Sequence, residues 1–365
     1  MPSGNSGSFS ATLQAISVIL VRDRAVASGT KPGCLEVLLA LARLPPGVWV
    51  TIMRQFSGAK LLAVNQAPIL RPGRARMATP NSWKQGRRIA RFGSAGTPET
   101  PLRTLAVALT QAARSALAEP YMLTIEHRSI RLKRLPRALD GFRIVQLSDV
   151  HHSSFTSRDQ INRAVETANR LQPDIVALTG DYISKEREYA APCAELLGRL
   201  SARYGVYAVL GNHDHWTDAA LITDLFRAER ITVLVNEGMR FEQRGAAFWL
   251  AGVDDTMVGL EDLPLALAGS REDEMKLLLA HNPIILRRAA RAGVDLVLSG
   301  HTHGGQVKLR SENNGSGRPR RRLLRGLVHQ GETQIYVTRG LGTVILPIRY
   351  GCPPEVSLLE LRCRP

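Results

Sequence analysis

From Phe142 onward, short apolar runs alternate with polar segments whose apolar residues recur at helical spacing. FRIVQLSD (142–149), DIVALTGD (174–181), VYAVLGNHD (206–214), FWLAGVDD (248–255), KLLLAHN (276–282) and VDLVLSGHTH (294–303) stay apolar over several consecutive residues, which predicts strands buried on both faces. Between the first three, Ile161, Val165, Ala168 and Leu171, and then Leu196, Leu197 and Leu200, are spaced to share one side of a helix. This alternation predicts an α/β layered fold. QIYVTR (334–339) and EVSLLELR (355–362) add strands without helices between them, so a second, more mixed or antiparallel sheet should pack on the first.

Upstream of about residue 120 no period of 2 or 3.6 is sustained, and APILRPGRARMATP and FGSAGTPETP are rich in turn formers. The chain thus divides into an extension, 1–120, with little fixed structure, and a folded domain, 121–365. Inside the extension, GRRIARF (86–92) precedes LRTLAVALTQAARSALA (102–118) with its A-x-A-like end, the outline of an export signal that a start at Met77 would place correctly. Arg103, Gln111 and Arg114 interrupt the apolar region, so a membrane-surface helix or a plain surface helix is an equal reading. CLEVLLALARLPPGVWVTIM (34–53) carries Glu36, Arg43 and two prolines, too interrupted for the roughly eighteen apolar residues of a membrane span. A peripheral membrane or cytoplasmic location is expected, with export as the alternative.

Composition narrows the classes. In 365 residues, 44% hydrophobic content excludes a wholly disordered chain. The net charge of +16 comes from 48 basic residues, seven of them lysine, against 32 acidic ones, and favours anionic partners: phosphate esters, acidic membrane or nucleic acid. Cys34, Cys193, Cys352 and Cys363 form no C-x-x-C pair, so neither a disulfide framework nor a thiolate zinc site is signalled.

The chemistry sits where the apolar runs stop. All nine histidines lie between His127 and His329. LSDVHH offers Asp149 and His151, TGD offers Asp181, GNHD offers Asn212, His213 and Asp214, AHN offers His281, and SGHTH offers His301 and His303. Ligand sites of open α/β sheets lie at the carboxyl ends of strands, so five such ends would converge on one crevice. Carboxylate, imidazole and amide together suit Mn²⁺, Fe²⁺ or Zn²⁺, and they are too many for one tetrahedral ion. Asp-x-His and His-x-His on extended backbone would aim both members of each pair to one side. Gly180, Gly211, Gly300, Gly304 and Gly305 permit sharp turns beside them. Any one of these stretches alone would be a surface turn; five in order, each after an apolar run, argue a site. His127, His152, His215 and His329 fit surface or supporting roles.

In D-x-H, GD, GNHD, H and GHTHGGQ, in that order, the chain resembles the calcineurin-like metallophosphoesterase superfamily. LSDVHH, GNHDHW, LAGVDD, SGHTHGGQV and RGLGTVILP (339–347) resemble its bacterial branch of envelope- or membrane-associated phosphoesterases, from about Tyr121 to the C-terminus. The resemblance implies a four-layer sandwich of two mixed β-sheets flanked by helices, with two divalent ions (Mn, Fe or Zn) at the carboxyl ends of the strands. Asp149, His151, Asp181 and His303 would hold one ion, and Asp181, Asn212, His281 and His301 the other, Asp181 bridging. A hydroxide shared by the ions would attack phosphorus, His213 would protonate or steady the leaving oxygen, and Asp214 would orient His213. Asn282 stands where that branch commonly has an acidic residue. The loop SENNGSGRPRRRLLR (311–325) reads as a solvated charge run or as a phosphate or membrane contact. GDYISKERE lacks the arginine-bearing turn of protein phosphatases, which ranks phosphoprotein low as a substrate. The resemblance points to phosphodiester or pyrophosphate substrates, lipid-linked or nucleotide diphosphates such as UDP-2,3-diacylglucosamine of lipid A synthesis, with no specific nucleic-acid partner. A metal-dependent nuclease, and a non-enzymatic metal-stabilised module docking on anionic membrane or nucleic acid, are the alternatives.

Overall fold

A strand that is apolar on both faces must be covered on both, and the chain does this with four layers. The computed structural model describes residues 101–307 and 323–364; the expectations for residues 1–100 and for 308–322 of the basic loop lie outside them. One sheet contains β1 (Thr124–Leu132), β2 (Phe142–Leu147), β3 (Ile175–Thr179), β4 (Val206–Val209), β5 (Thr232–Val233) and β12 (Glu355–Cys363), in the order β1-β12-β2-β3-β4-β5. The other contains β6 (Glu237–Gln243), β7 (Ala246–Gly252), β8 (Lys276–Leu279), β9 (Leu296–Ser299), β10 (Gly326–Gln330) and β11 (Thr333–Val337), in the order β10-β11-β9-β8-β7-β6. Both are mixed: β12 runs antiparallel to β2, and β10 and β6 run antiparallel to their neighbours, while β2-β3-β4 and β7-β8-β9-β11 are parallel.

The helices are α1 (Pro101–Ala118), α2 (Arg158–Arg170), α3 (Ala190–Leu197), α4 (Asn212–Thr217), α5 (Ala219–Ala228), α6 (Leu263–Ala266) and α7 (Leu286–Arg291). The period of two along each strand assigns its residues to the layers. Val145, Leu147, Val176, Leu178 and Ala208 pack with Ile161, Val165, Leu197 and Phe226 of α2, α3 and α5. The alternate residues Ile144, Ile175, Ala177 and Val209 meet Leu250, Leu277, Leu279, Leu296 and Leu298 of the second sheet. Ala251, Leu278 and Val297 face Leu263, Ala266, Leu286 and Ala289 of α6 and α7. Helix, sheet, sheet and helix result, as the α/β expectation requires.

Local chemistry sets several ends. Ser157 and Gln160 form a reciprocal capping box at the start of α2. The helix expected through Leu200 stops at Leu197, with Gly198 closing it. The edge strand β1, TIEHRSIRL, was not legible because most of its side chains are exposed, so it has no apolar run. Within the expected extension, 101–118 is helical, and the end of that helix and the residue after it touch the domain: the Arg349 N–H donates to the Ala116 carbonyl (3.0 Å) and the Glu119 carboxylate accepts the Gly351 N–H (2.9 Å). Among the described residues, no helix is long and apolar enough to cross a membrane.

Candidate metal centre

The strands end before the polar residues begin, and the chain then turns sharply. Asp149, His151, Asp181, His301 and His303 all adopt left-handed backbone, with φ of 52°, 46°, 58°, 71° and 50°. Extended backbone was expected to aim Asp-x-His and His-x-His; instead a left-handed turn at each member brings the side chains inward. Such conformations cost of order 1–3 kcal/mol each for a non-glycine residue and persist only where surrounding contacts enforce them. Here the two sheets enforce them: the His301 N–H donates to Asp149 Oδ1 (2.8 Å), the Asp149 N–H to the Gly180 carbonyl (2.9 Å), and the Gly300 N–H to the His281 carbonyl (3.0 Å). Gly300 has to lack a side chain, because a Cβ there would collide with Ser148 Oγ and the Asp149 carboxylate.

The expected ligand residues meet in one row. Asp149, His151 and His303 bring their ligand atoms within 4.8 Å of one another, and so do Asp181, His281 and His301. His303 Nε2 lies 3.1 Å from His151 Nε2 and 3.4 Å from Asp149 Oδ1, and His301 Nδ1 lies 3.2 Å from His281 Nε2. Between these groups sits Asp181, whose Oδ2 is 3.5 Å from His151 Nε2 and 3.1 Å from His281 Nε2. Asn212 is buried, and its Oδ1 has no hydrogen-bond partner. An orphaned buried amide oxygen is costly unless something accepts its lone pairs, and a cation does so. The donor set and this atom fit divalent ions.

The electrostatics of the row follow from its burial. Asp149, His151, Asp181, His281 and His303 are all buried, and buried charges need partners or a metal. Burial works to raise Asp181, but the His281 and His151 charges hold its carboxyl well below the usual range. Burial likewise works to lower His281, yet the Asp181 carboxylate outweighs it and pushes the imidazole up to about 10. Burial raises Asp149. Burial and the His281 charge push His301 down to about 4, and burial, then His151 and Arg349, hold His303 far below the ordinary histidine value. Ionised Asp181 and neutral His301 and His303 are the forms that bind metal, whereas the proton held on His281 would have to leave as a cation enters.

Supporting contacts set the ring orientations. His281 Nδ1 donates to the Thr179 carbonyl (2.7 Å), which leaves Nε2 facing Asp181. His213 Nδ1 donates to the Ser184 carbonyl (2.8 Å), and its ring meets that of His151 edge-on at 4.7 Å. Its ligand atom also lies within 4.8 Å of those of His151 and Asp181. The orienting contact expected of Asp214 is thus made by Ser184. Asp214, fully buried, instead accepts the N–H groups of Gly211 (2.9 Å), Asp181 (2.8 Å) and Tyr182 (2.9 Å), locking two strand ends together; burial and the Asp181 charge push its carboxyl up to about 7.

Three participants were given no role from the sequence, although Gln306 and Asp254 lie within the GHTHGGQ and LAGVDD stretches. Arg349 is wholly buried, and its guanidinium donates to the carbonyls of Gly342 (3.1 Å), Cys352 (2.9 Å), Arg339 (2.9 Å) and Gly340 (3.2 Å). It thereby fixes the 339–342 turn, whose Gly342 N–H donates to the Asp149 carbonyl (2.7 Å) and whose Leu341 N–H donates to that of Ser148 (3.0 Å). Gln306 grips the next turn through its amide. Asp254, at the end of β7, accepts from His215 Nε2 (2.5 Å) and ties α4, the carrier of Asn212 and His213, to the second sheet. A cavity of about 860 Å³, lined by Lys133, Arg287, Arg291 and Glu332 among others, lies at the opposite ends of these strands, beside the starts of β9 and β11.

Comparison with known proteins gives one family: residues 142–305 match the model described as calcineurin-like phosphoesterase. An uncharacterized metallophosphoesterase of Bacillus subtilis, YkuE, is 33% identical over 67% of this chain and 87% of its own length. The phosphodiesterase YaeI of Escherichia coli is 32% identical over 60% of this chain and 82% of its own length. A Bos taurus transmembrane protein with a metallophosphoesterase domain is 31% identical over 78% of this chain and 67% of its own length.

Proposed function

Since the chain belongs to the calcineurin-like phosphoesterases, and is a metallophosphoesterase by that membership, we propose that it hydrolyses phosphodiester or pyrophosphate bonds at a two-cation centre. The observation that carries this reading is Asp181 Oδ2, set between His151 Nε2 and His281 Nε2 with a set of ligands on either side. Asp149, His151, Asp181 and His303 would hold one ion, and Asp181, Asn212, His281 and His301 the other. Bound there, the ions supply Lewis-acid polarisation of the phosphoryl oxygens and neutralise the charge that develops on them. His213, anchored at Nδ1 by Ser184, offers Nε2 to deliver a proton to the leaving oxygen. Asp214 keeps the Asp181 and Gly211 turns in register and so positions Asp181 and Asn212.

The finer reading takes lipid-linked or nucleotide diphosphates, such as UDP-2,3-diacylglucosamine, as substrates at a peripheral membrane contact, and it rests on the motif resemblance. The nuclease alternative draws its support from the net charge. Of that +16, residues 1–120 carry +11 and residues 121–365 carry +5, with 33 basic against 28 acidic side chains, so the attraction for a polyanion comes mainly from the N-terminal stretch and the basic 308–322 loop. The test is hydrolysis of bis-p-nitrophenyl phosphate by metal-stripped protein with Mn²⁺, Zn²⁺ or Mg²⁺ restored. Metal-dependent turnover, lost in Asp181→Asn and in His213→Ala, is expected. Turnover that survives chelation, or a His213→Ala enzyme at the wild-type rate, contradicts the assignment; stabilisation by metal without any turnover on diesters or UDP-diacylglucosamine returns the binding-module reading.

A further inference from the structure

Ile345 is the one β-branched residue at left-handed backbone among the described residues, with φ 65°, and it is 87% exposed. The Leu346 N–H donates to the Val344 carbonyl (2.7 Å), so Ile345 is the centre of a γ-turn of the rare, strained hand. The turn is enforced from one side. The Gln306 amide donates to the carbonyls of Val344 (3.0 Å) and Leu346 (3.1 Å) and accepts the Val344 N–H (3.0 Å). Gln306 follows His303 by three residues, and the same loop rests on Asp149 through Gly342. Glycine or asparagine would take this φ more easily, and an isoleucine gains no burial here, so folding does not explain the residue.

Other exposed apolar side chains occupy equivalent places. Trp216 (61% exposed) packs against the His213 ring at 4.9 Å. Ile284 (62% exposed) follows His281 by three residues, and its N–H is held by Asn282 Oδ1 (3.1 Å). Phe155 (46% exposed) has its N–H on Ser153 Oγ (3.3 Å), which donates to the His151 carbonyl. Four separate segments that carry ligands or rest on them, one of them helix α4, therefore also present an apolar side chain to solvent. Eight other large apolar side chains are exposed among the described residues, and scattered ones are ordinary; these four differ in standing on segments tied to one polar centre, where whatever is attached to a bound phosphoryl group would pass.

We propose that Ile345, Trp216, Ile284 and Phe155 form an apolar rim that contacts a saturated chain on the alcohol portion of the phosphodiester, a specificity device that rests on the phosphodiesterase reading above. The polar centre takes the phosphoryl group and the rim takes what is attached to it. Isoleucine is kept at a strained position because its contact is made in the complex and not in the free protein.

The test compares methyl p-nitrophenyl phosphate with octyl p-nitrophenyl phosphate, both monomeric, on the metal-loaded full-length protein. Wild type should favour the octyl ester in kcat/KM, and Ile345→Asn combined with Ile284→Ser should reduce that preference about tenfold, the worth of roughly two buried methylenes, without changing the methyl rate. The single variant Ile345→Asn should unfold at the wild-type temperature or above it. No octyl preference in wild type, or an undiminished preference in the variant, overturns the proposal. Vesicle sedimentation lost in the variant with the octyl preference intact assigns the rim to a bilayer surface, and also overturns it. If neither ester is hydrolysed, the phosphodiesterase reading fails separately, and calorimetric titration with octyl phosphate decides the rim: equal affinity of wild type and variant overturns it.

Discussion

Replacing Arg349 by methionine keeps the volume of a buried side chain and removes every hydrogen bond that the guanidinium makes. Its donors reach four backbone carbonyls, those of Arg339, Gly340, Gly342 and Cys352, and these oxygens cannot be mutated away with it. The Gly340 carbonyl keeps the Glu355 N–H (3.2 Å), and each of the other three, left unpaired, costs about 1–3 kcal/mol. Set against that, burial disfavours the Arg349 charge itself, so its removal returns part of the loss. Taking the low end for each of the three and allowing for that return, the variant should lose about 1–3 kcal/mol, a sizeable share of the 5–15 kcal/mol typical of a domain. Urea unfolding at neutral pH measures this as a lower midpoint at unchanged slope. Arg349→Lys, with three donors on one nitrogen, should fall between the two. Because the 339–342 turn holds the backbone of Ser148 and Asp149, the methionine variant should also bind Mn²⁺ about 10–100-fold more weakly, as loss of a ligand's supporting contact does. An Arg349→Met protein with wild-type midpoint and metal affinity would refute the reasoning, showing that water or a relaxed loop satisfies those carbonyls.

Asp181→Asn should lower metal-dependent diesterase activity more than about 100-fold, beyond the loss from a supporting residue, as read by bis-p-nitrophenyl phosphate turnover at saturating metal. Gly211→Ala would drive a Cβ into the Asp181 carboxylate and backbone; steady-state kinetics should show about a 100-fold loss, the scale of a misplaced reacting group, and normal kinetics would contradict the packing argument. The hydrogen bond to Asp254 raises His215 above its ordinary 6.5. A raised folded value stabilises the protein fully below 6.5 and ceases to do so as pH rises through it, so the melting difference between wild type and His215→Gln should be largest near about pH 6 and close in alkaline buffer. A difference that widens with pH would contradict that sign. Mn²⁺ at about 100 times its Kd should add roughly 2.7 kcal/mol to unfolding, measured as a shift in melting temperature that chelation reverses.

The chain by itself determined the layers and the identity of the polar set. Continuous apolar runs can only be strands covered on both faces, and Ile161-Val165-Ala168 can only be an inward helix face, so the α/β sandwich followed from periodicity. The residues that end those runs were legible because acids, an amide and histidines repeatedly follow apolar strands, an arrangement that a core does not need. Sheet membership was not legible at β1, whose exposed side chains leave no apolar pattern, and its parallel partner β12 lies 231 residues further along the chain. Tertiary structure alone decided how the ligands aim. The left-handed turns at Asp149, His151, Asp181, His301 and His303 are unfavourable locally and exist because hydrogen bonds between neighbouring strand ends, and from His301 to Asp149 across the two sheets, outweigh that cost. It also decided the parts played by Asp214, Ser184 and Arg349, since a backbone carbonyl carries no residue signature and an arginine reveals its burial only when the oxygens around it are in place.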